Sequence, residues 1–316
     1  MNYGGTMSDK FLGKNRFRRT FNPKLQNALK ATELYEQELS SDISKGLVFP
    51  AFRNKVIDFY YKGGKLFEFK GKFATHVKYA SVLHGYNKDY ISDEDLQGGV
   101  RLISNFTEGY KRIKENCALY AGVESSGVSK IYEKSGYLHP GEDIVVLDIE
   151  VSLQALDTGW ENEVVENEAI RVQDRIDLLL YNKKTKTLCF FEAKHFSNKE
   201  LWSEADTKPK VVNQLKRYNS QLIDRNDEIL DSYKEYIATA RQLFNIPVNI
   251  LPDPVAIEEE VVLLVFGFDN DQKKKLEKLL IKDSSLDSIK YRFIGNPKNA
   301  SDLWKNIKRG IGKKEN

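Results

Sequence analysis

The sequence predicts an α/β protein, a central mixed β-sheet flanked by helices and preceded by a smaller α+β region. Three observations carry that expectation. The second half orders its apolar runs as strands, helix, strand, helix, strand. The first half changes from helical to alternating periodicity near residue 56. Between the halves, Gly127, Gly136 and His139-Pro140-Gly141 read as a loop-rich stretch. That stretch sets a boundary near 140 and divides the chain into regions 1–140 and 141–316.

Along the chain, the segment up to Pro23 is basic (Lys10, Lys14, Arg16, Arg18, Arg19) and poor in apolar residues, which suits a mobile or phosphate-contacting arm. Leu25, Leu29, Leu34 and Leu39 then follow helical spacing. Val56 to Tyr61, Leu66 to Lys70 and Phe73 to Tyr79 read as strands, with Gly63-Gly64 as the turn between the first two. Residues from Val100 to Tyr120 return to helical spacing. In the second half Ile144 to Val151, Glu161 to Val165, Ala169 to Tyr181 and Thr187 to Phe196 are strand candidates, with a polar turn from Asn182 to Lys186. Lys210 to Phe244 reads as mainly helical, Val261 to Phe268 as a buried strand, and Asp271 to Lys282 as a helix. A strand over Ile289 to Ile294 and a helix over Ala300 to Ile311 complete the order.

Composition narrows the function classes. Hydrophobic residues make up 41% of the 316 and charged residues 30%, so a packed core is expected and disorder is not. The 49 Lys and Arg nearly cancel 46 Asp and Glu, leaving a formal charge of +3 and requiring any basic surface to be local. The longest apolar run, Val261 to Phe268, falls far short of the roughly 20 residues a membrane helix needs. Cys117 and Cys189 stand far apart with no metal-ligand spacing. A cytoplasmic protein without a membrane partner is expected.

The stretch that carries chemistry is Arg175-Ile176-Asp177-Leu178-Leu179-Leu180 followed by Phe190-Phe191-Glu192-Ala193-Lys194. Alternation along a strand puts Glu192 and Lys194 on one face and Ala193 and His195 on the other. An even-numbered loop around Lys184-Thr185 sets Asp177 opposite Glu192. A Glu and a Lys ending a buried strand are costly unless paired or metal-bound. Two carboxylates can hold Mg²⁺ through hard oxygen ligands, and a nearby Lys can orient water or neutralise developing charge. A second acid-then-Glu-x-Lys pattern, Asp58 with Glu68-Phe69-Lys70, is a decoy. A Gly63-Gly64 turn sets Asp58 opposite Phe69, so its polar groups diverge unless a bulge intervenes.

Asp177 and Glu192-Ala193-Lys194 resemble the PD-(D/E)XK nuclease superfamily, with Ile176 where that pattern often has proline. Gln214-Leu215-Lys216-Arg217-Tyr218 is similar to the Gln-x-x-x-Tyr element of its RecB-like and Cas4-like branches. The resemblance implies a restriction-endonuclease-like core over 141–316. It implies Mg²⁺, with Mn²⁺ as a substitute, held by Asp177 and Glu192. It also implies catalysis by Asp177, Glu192, Lys194 and Gln214, with nucleic acid contacted by Tyr218, Lys210, Lys216 and Arg217. Tyr218 equally continues the core stripe of Val211, Leu215 and Leu222. The superfamily often adds a helix-borne Glu; Glu108, Glu115, Glu150, Glu161 and Glu163 remain open for that place. The implied function is a DNA nuclease of prokaryotic defence, restriction or repair. A non-catalytic nucleic-acid-binding protein and an RNA-cleaving effector are the alternatives, and region 1–140 would recognise, recruit or oligomerise.

Overall fold

A computed structural model describes residues 17–80, 89–98, 103–139, 141–153, 175–202, 209–282 and 289–309. Helix α1 (Pro23–Lys30) starts with proline at its first position, and the Asn22 side chain accepts the Leu25 N–H at 2.9 Å. A π-helical turn over Tyr35–Leu39 leads into α2 (Ser40–Ser44), so the helical spacing of Leu25 to Leu39 is met in pieces. The segment before α1 is no arm from Phe17 onward. Phe17, Arg19 and Phe21 are buried, and the Phe17 carbonyl accepts the Ser232 hydroxyl.

The first sheet is an antiparallel meander of β1 (Val48–Arg53), β2 (Val56–Tyr61), β3 (Gly64–Phe69), β4 (Phe73–His76) and β5 (Tyr90–Ser92). Strand β1 contains Pro50 and gives no clear alternation; it lies at the sheet edge, where a missing donor is tolerated. The β2–β3 turn falls one residue earlier than Gly63-Gly64. Lys62 and Gly63 take left-handed backbone, at φ 51° and 93°, and Tyr61 pairs with Gly64. A bulge between Phe59 and Tyr60 then sets Asp58 opposite Glu68, not Phe69. The decoy acids therefore do share a face. Lys65 Nζ lies 2.8 Å from Glu68 and 3.8 Å from Asp58, and Arg53 Nε 3.3 Å from Asp58, so that cluster neutralises itself.

Helix α3 (Tyr110–Leu119) packs on β2 and β3 and is shorter than the Val100-to-Tyr120 spacing implied. Helix α4 (Val123–Ser135) then occupies the stretch that reads as loop. Gly127 is there for close approach and not for a turn, since a Cβ on it would meet the Phe266 ring at 2.2 Å.

The second sheet holds β6 (Ile144–Ser152), β7 (Arg175–Asn182) and β8 (Thr187–His195) as an antiparallel meander. The chain continues through α5 (Lys210–Asp224) and α6 (Asn226–Phe244) and the two-residue strand β9 (Ala256–Ile257), which pairs with β8. Strand β10 (Val262–Phe266) then joins β8 in parallel. Helix α7 (Asn270–Lys282) crosses to β11 (Lys290–Ile294), parallel to β10. The helix expected over Ala300 to Ile311 is only α8 (Ala300–Trp304). The chain turns after it, and β12 (Lys308–Arg309) pairs with β11, placing Arg309 on Glu260. The strand candidate Glu161 to Val165 and residues 169–174 lie outside the described residues.

Helix α4 packs on one face of this sheet, against β6, β7 and β8, and α6 on the other, where Tyr233 meets Phe190. The two sheets do not pair, yet their core is continuous. Phe49 packs on Tyr132 and Tyr137, and Phe52 on Tyr236, at 4.9–5.5 Å between ring centroids. The line near 140 thus divides sheets and not cores, and it separates α4 from the sheet on which α4 packs.

Asp148 ties the halves together. It is fully buried and takes Arg53 Nη1 at 2.7 Å, Arg19 Nε at 3.3 Å and the Tyr233 hydroxyl at 3.0 Å. Asp148→Ala should destabilise the protein by about 3–5 kcal/mol in urea denaturation, because it takes the ion-pair partner from the buried Arg19 and one of two carboxylates from Arg53. Gly127→Ala should cost about 1–3 kcal/mol by overpacking Phe266, where an open helical site would gain from the same change. An unchanged or raised urea midpoint in either variant would contradict the packing described.

Candidate active site

The site lies on the α6-side face of the second sheet. The β7–β8 turn has four residues, Lys183 to Lys186. The Asn182 side chain accepts the Lys184 and Thr185 N–H groups at 3.1 and 3.2 Å, and Lys186 takes left-handed backbone at φ 56°. Pairing then runs from Asn182↔Thr187 to Leu178↔Phe191. One step further sets Asp177 across from Glu192. The Asp177 Oδ2 accepts the Ala193 N–H at 2.8 Å, so its carboxylate reaches into β8.

Glu192 and Lys194 are 2% and 6% exposed. Lys194 Nζ lies 3.0 Å from Glu192 Oε1 and 2.7 Å from Glu200 Oε2. The other Glu192 oxygen, Oε2, is buried and has no hydrogen-bond partner among the described residues. A buried carboxylate oxygen with nothing to accept from costs free energy until a donor or a cation reaches it. Burial, opposed by Lys194, pushes the Glu192 carboxyl up to about 7. Burial, then the charges of Glu192 and Glu150, raises Asp177 well above the usual carboxylate range. Burial works against the Lys194 charge, but Glu192 and Glu200 overcome it and hold the ammonium above its ordinary value.

Glu150 is one of the five open acids, and β6 brings it to the site. Its register sets Ile149 opposite Leu178 and Val151 opposite Ile176, so Glu150 flanks Asp177. Its backbone is left-handed at φ 49°, and its carboxylate lies 3.3 Å from Arg175. Glu108 and Glu115 are exposed beside and on α3, a helix of the first sheet. Glu161 and Glu163 lie outside the described residues.

Two acids escaped the sequence reading. Glu124, in the first turn of α4, accepts the His195 N–H at 2.9 Å and the Asn198 side-chain amide at 2.7 Å, and its charge also acts on Glu192. Reading residues 123–135 as helix would have put Glu124 forward as a helix-borne acid before the first strand of the second sheet. Glu200 sits in the short 3₁₀ turn after β8, with no periodic signal to mark it. Beside Glu124 a cavity of about 290 Å³ is lined by Gly122, Val123, Ser125, His195, Ser197 and Asn198.

Gln214 does not hold Lys194; Glu200 does. The Gln214 amide donates to the Tyr218 hydroxyl at 2.8 Å, and that hydroxyl donates to the Arg175 carbonyl at 2.7 Å. The pair anchors α5 to β7 two residues before Asp177. Tyr218 is 1% exposed and continues the apolar stripe of Val211, Leu215 and Leu222, so it packs and does not present itself to a phosphate. Lys210, Lys216 and Arg217 are exposed on α5, and Lys199 is exposed on the 3₁₀ turn.

Among the described residues no three His, Cys, Asp or Glu side chains form a ready-made metal cage. The acids that could hold an ion are Asp177 and Glu192. Two carboxylates suit Mg²⁺, which commonly keeps several waters and completes its shell with substrate phosphate. Compared with known proteins, the chain matches no family model, no curated protein and no solved structure.

The raised carboxyls set a pH dependence. A carboxyl whose folded pKa exceeds its unfolded value contributes stability that is present at low pH. That stability is lost as pH rises from about 4.3 to about 7 at Glu192. In EDTA the melting temperature should fall across this window, and Glu192→Gln should flatten the fall. The stabilisation given by added Mg²⁺ or Mn²⁺ should grow over the same range, because the ion needs the ionised acids. A wild-type profile that Glu192→Gln leaves unchanged would refute this account.

Proposed function

We propose that this protein is a divalent-metal-dependent nuclease that hydrolyses phosphodiester bonds, with DNA as the substrate. One observation carries the reading. Asp177 and Glu192 meet across two core strands beside Lys194, and a buried Glu192 oxygen is left without a partner. A structural ion pair alone would not need that second acid, nor would it strand that oxygen.

In this reading Asp177 and Glu192 supply hard oxygen ligands for Mg²⁺ or Mn²⁺. A bound ion contributes charge at the phosphate and lowers the pKa of water at the site. Lys194, kept protonated by Glu192 and Glu200, places positive charge where the phosphorane-like transition state gathers negative charge. In the reaction a water oxygen bonds to phosphorus as the ester P–O bond breaks, and a proton ends on the leaving oxygen. Glu124 and Glu150 flank the pair and can bind outer waters. Exposed Lys199, Lys210 and Lys216 supply phosphate contacts that set register. A role in defence, restriction or repair rests on the resemblance to the superfamily.

Purified protein offered DNA and RNA with Mg²⁺, Mn²⁺ or EDTA should cut DNA only with the ions. Asp177→Ala and Glu192→Ala should abolish cleavage and weaken calorimetric metal binding. Lys194→Ala should slow cleavage by about 10²-fold or more while metal affinity stays near that of the wild type. Wild-type cleavage by Lys194→Ala would remove the chemistry from this site, and absence of any cleavage would favour a binding protein on the same fold.

A further inference from the structure

Four rings run in a row across the first sheet and its neighbouring helix corner. Tyr90 on β5 lies 5.5 Å from His76 on β4, His76 lies 5.5 Å from Tyr79, and Tyr79 lies 6.3 Å from Tyr120 at the end of α3. Both ends of the row are open to solvent, Tyr90 at 36% and Tyr120 at 54% exposure. Each end also carries an ammonium over its ring, Lys65 at 4.5 Å from Tyr90 and Lys78 at 5.1 Å from Tyr120. Among the described residues Lys78 makes no ion pair, so its charge is available. Leu119 and Val123 beside Tyr120 are also exposed, at 76% and 63%.

The place of this row matters. Two residues after Tyr120 the chain reaches Gly122 and the first turn of α4, which lines the cavity shared with Glu124, His195 and Asn198. The open end of the row therefore stands at the rim of this cavity, whose Glu124 joins it to the candidate site through its charge on Glu192. Exposed large apolar side chains at one corner cost free energy unless they meet a partner. Rings interleaved with lysines fit a polymer with flat apolar faces and a negative backbone.

We propose that Tyr90, His76, Tyr79 and Tyr120, with Lys78, form a track for single-stranded DNA that ends at the cavity beside the candidate site. This rests on the nuclease reading and adds to it a substrate form, DNA with an unpaired strand or tail. Bases stack on the exposed rings of Tyr90 and Tyr120 and Lys78 takes a phosphate, while Lys65 stays with Glu68 and Asp58 and fixes the Tyr90 ring. A closed duplex hides its base faces and cannot use the rings. Tyr79 is buried and keeps the row in line.

The test measures fluorescence anisotropy of labelled oligothymidylate, its duplex with oligoadenylate, and oligouridylate, all in EDTA so that no strand is cut. The wild-type protein should bind oligothymidylate more tightly than the duplex. Tyr120→Ala and Tyr90→Ala should each weaken single-strand binding by about ten-fold, and Tyr120→Phe should restore it because the stacking face remains. Lys78→Ala should lower the salt dependence of binding. Both tyrosines are exposed, and thermal melts of the variants verify that they fold. Wild-type affinity in Tyr120→Ala, preference for the duplex or for RNA, or a dimer in light scattering that Tyr120→Ala dissociates would each overturn the proposal. Binding that depends on the rings in a protein that never cuts DNA would keep the track and defeat the nuclease reading. Cleavage that needs Lys194 in a protein indifferent to the rings would do the reverse.

Discussion

Asp148 is closed off from solvent, and groups from three other parts of the chain converge on it: Arg19 before α1, Arg53 ending β1, and Tyr233 on α6. No single sheet explains that meeting. A charge buried this deeply is tolerated only when it is paired and hydrogen-bonded. The pairing forces β1 of the first sheet against β6 of the second, and it pins the segment from Phe17 under α6. Arg53 also donates to the Ile149 carbonyl at 2.7 Å, so the clamp holds β6 by its backbone as well.

The bulge in β6 makes this possible. The register shifts between Val146 and Asp148, leaving Leu147 as the extra residue. Without the shift Asp148 would fall opposite Leu178 and point toward α4. With it, Asp148 faces Leu179 and points toward α6, and Glu150 follows it to the side of Asp177. One inserted residue thus aims the structural acid and one flanking acid of the site onto the same face. The site borrows its rigidity from the clamp next to it.

The two acid centres resolve burial in opposite ways. Asp148 is surrounded by fixed cations and a hydroxyl, so its charge is satisfied by the fold. Asp177 and Glu192 have one lysine, itself shared with Glu200, and Glu192 keeps an oxygen without a partner. Burial then raises both carboxyls, and the pair holds protons more tightly than exposed acids do. In the proposed nuclease such a pair would give up protons to take a cation. Glu124 and Asn198 close the neighbouring loop onto the end of β8 by binding its backbone and each other.

The sequence by itself determined what depends on near neighbours. Alternation along β8 set Glu192 and Lys194 on one face. The polar stretch after Asn182 made a four-residue turn, and that turn length brought Asp177 across from Glu192. The helical spacing of Gln214 and Tyr218 made them partners, though with each other and not with Lys194. Tertiary structure alone decided the rest, because those contacts join residues far apart in the chain with no period to mark them. Gly127 reads as a loop until the Phe266 ring shows why no side chain fits there. Asp58 faces Glu68 only because a bulge shifts the strand. Glu200 and Asp148 carry no local pattern, and Glu124 sits on a helix that its glycines disguise; each acquires its role from a partner that packing delivers, and packing responds to shape and charge in three dimensions.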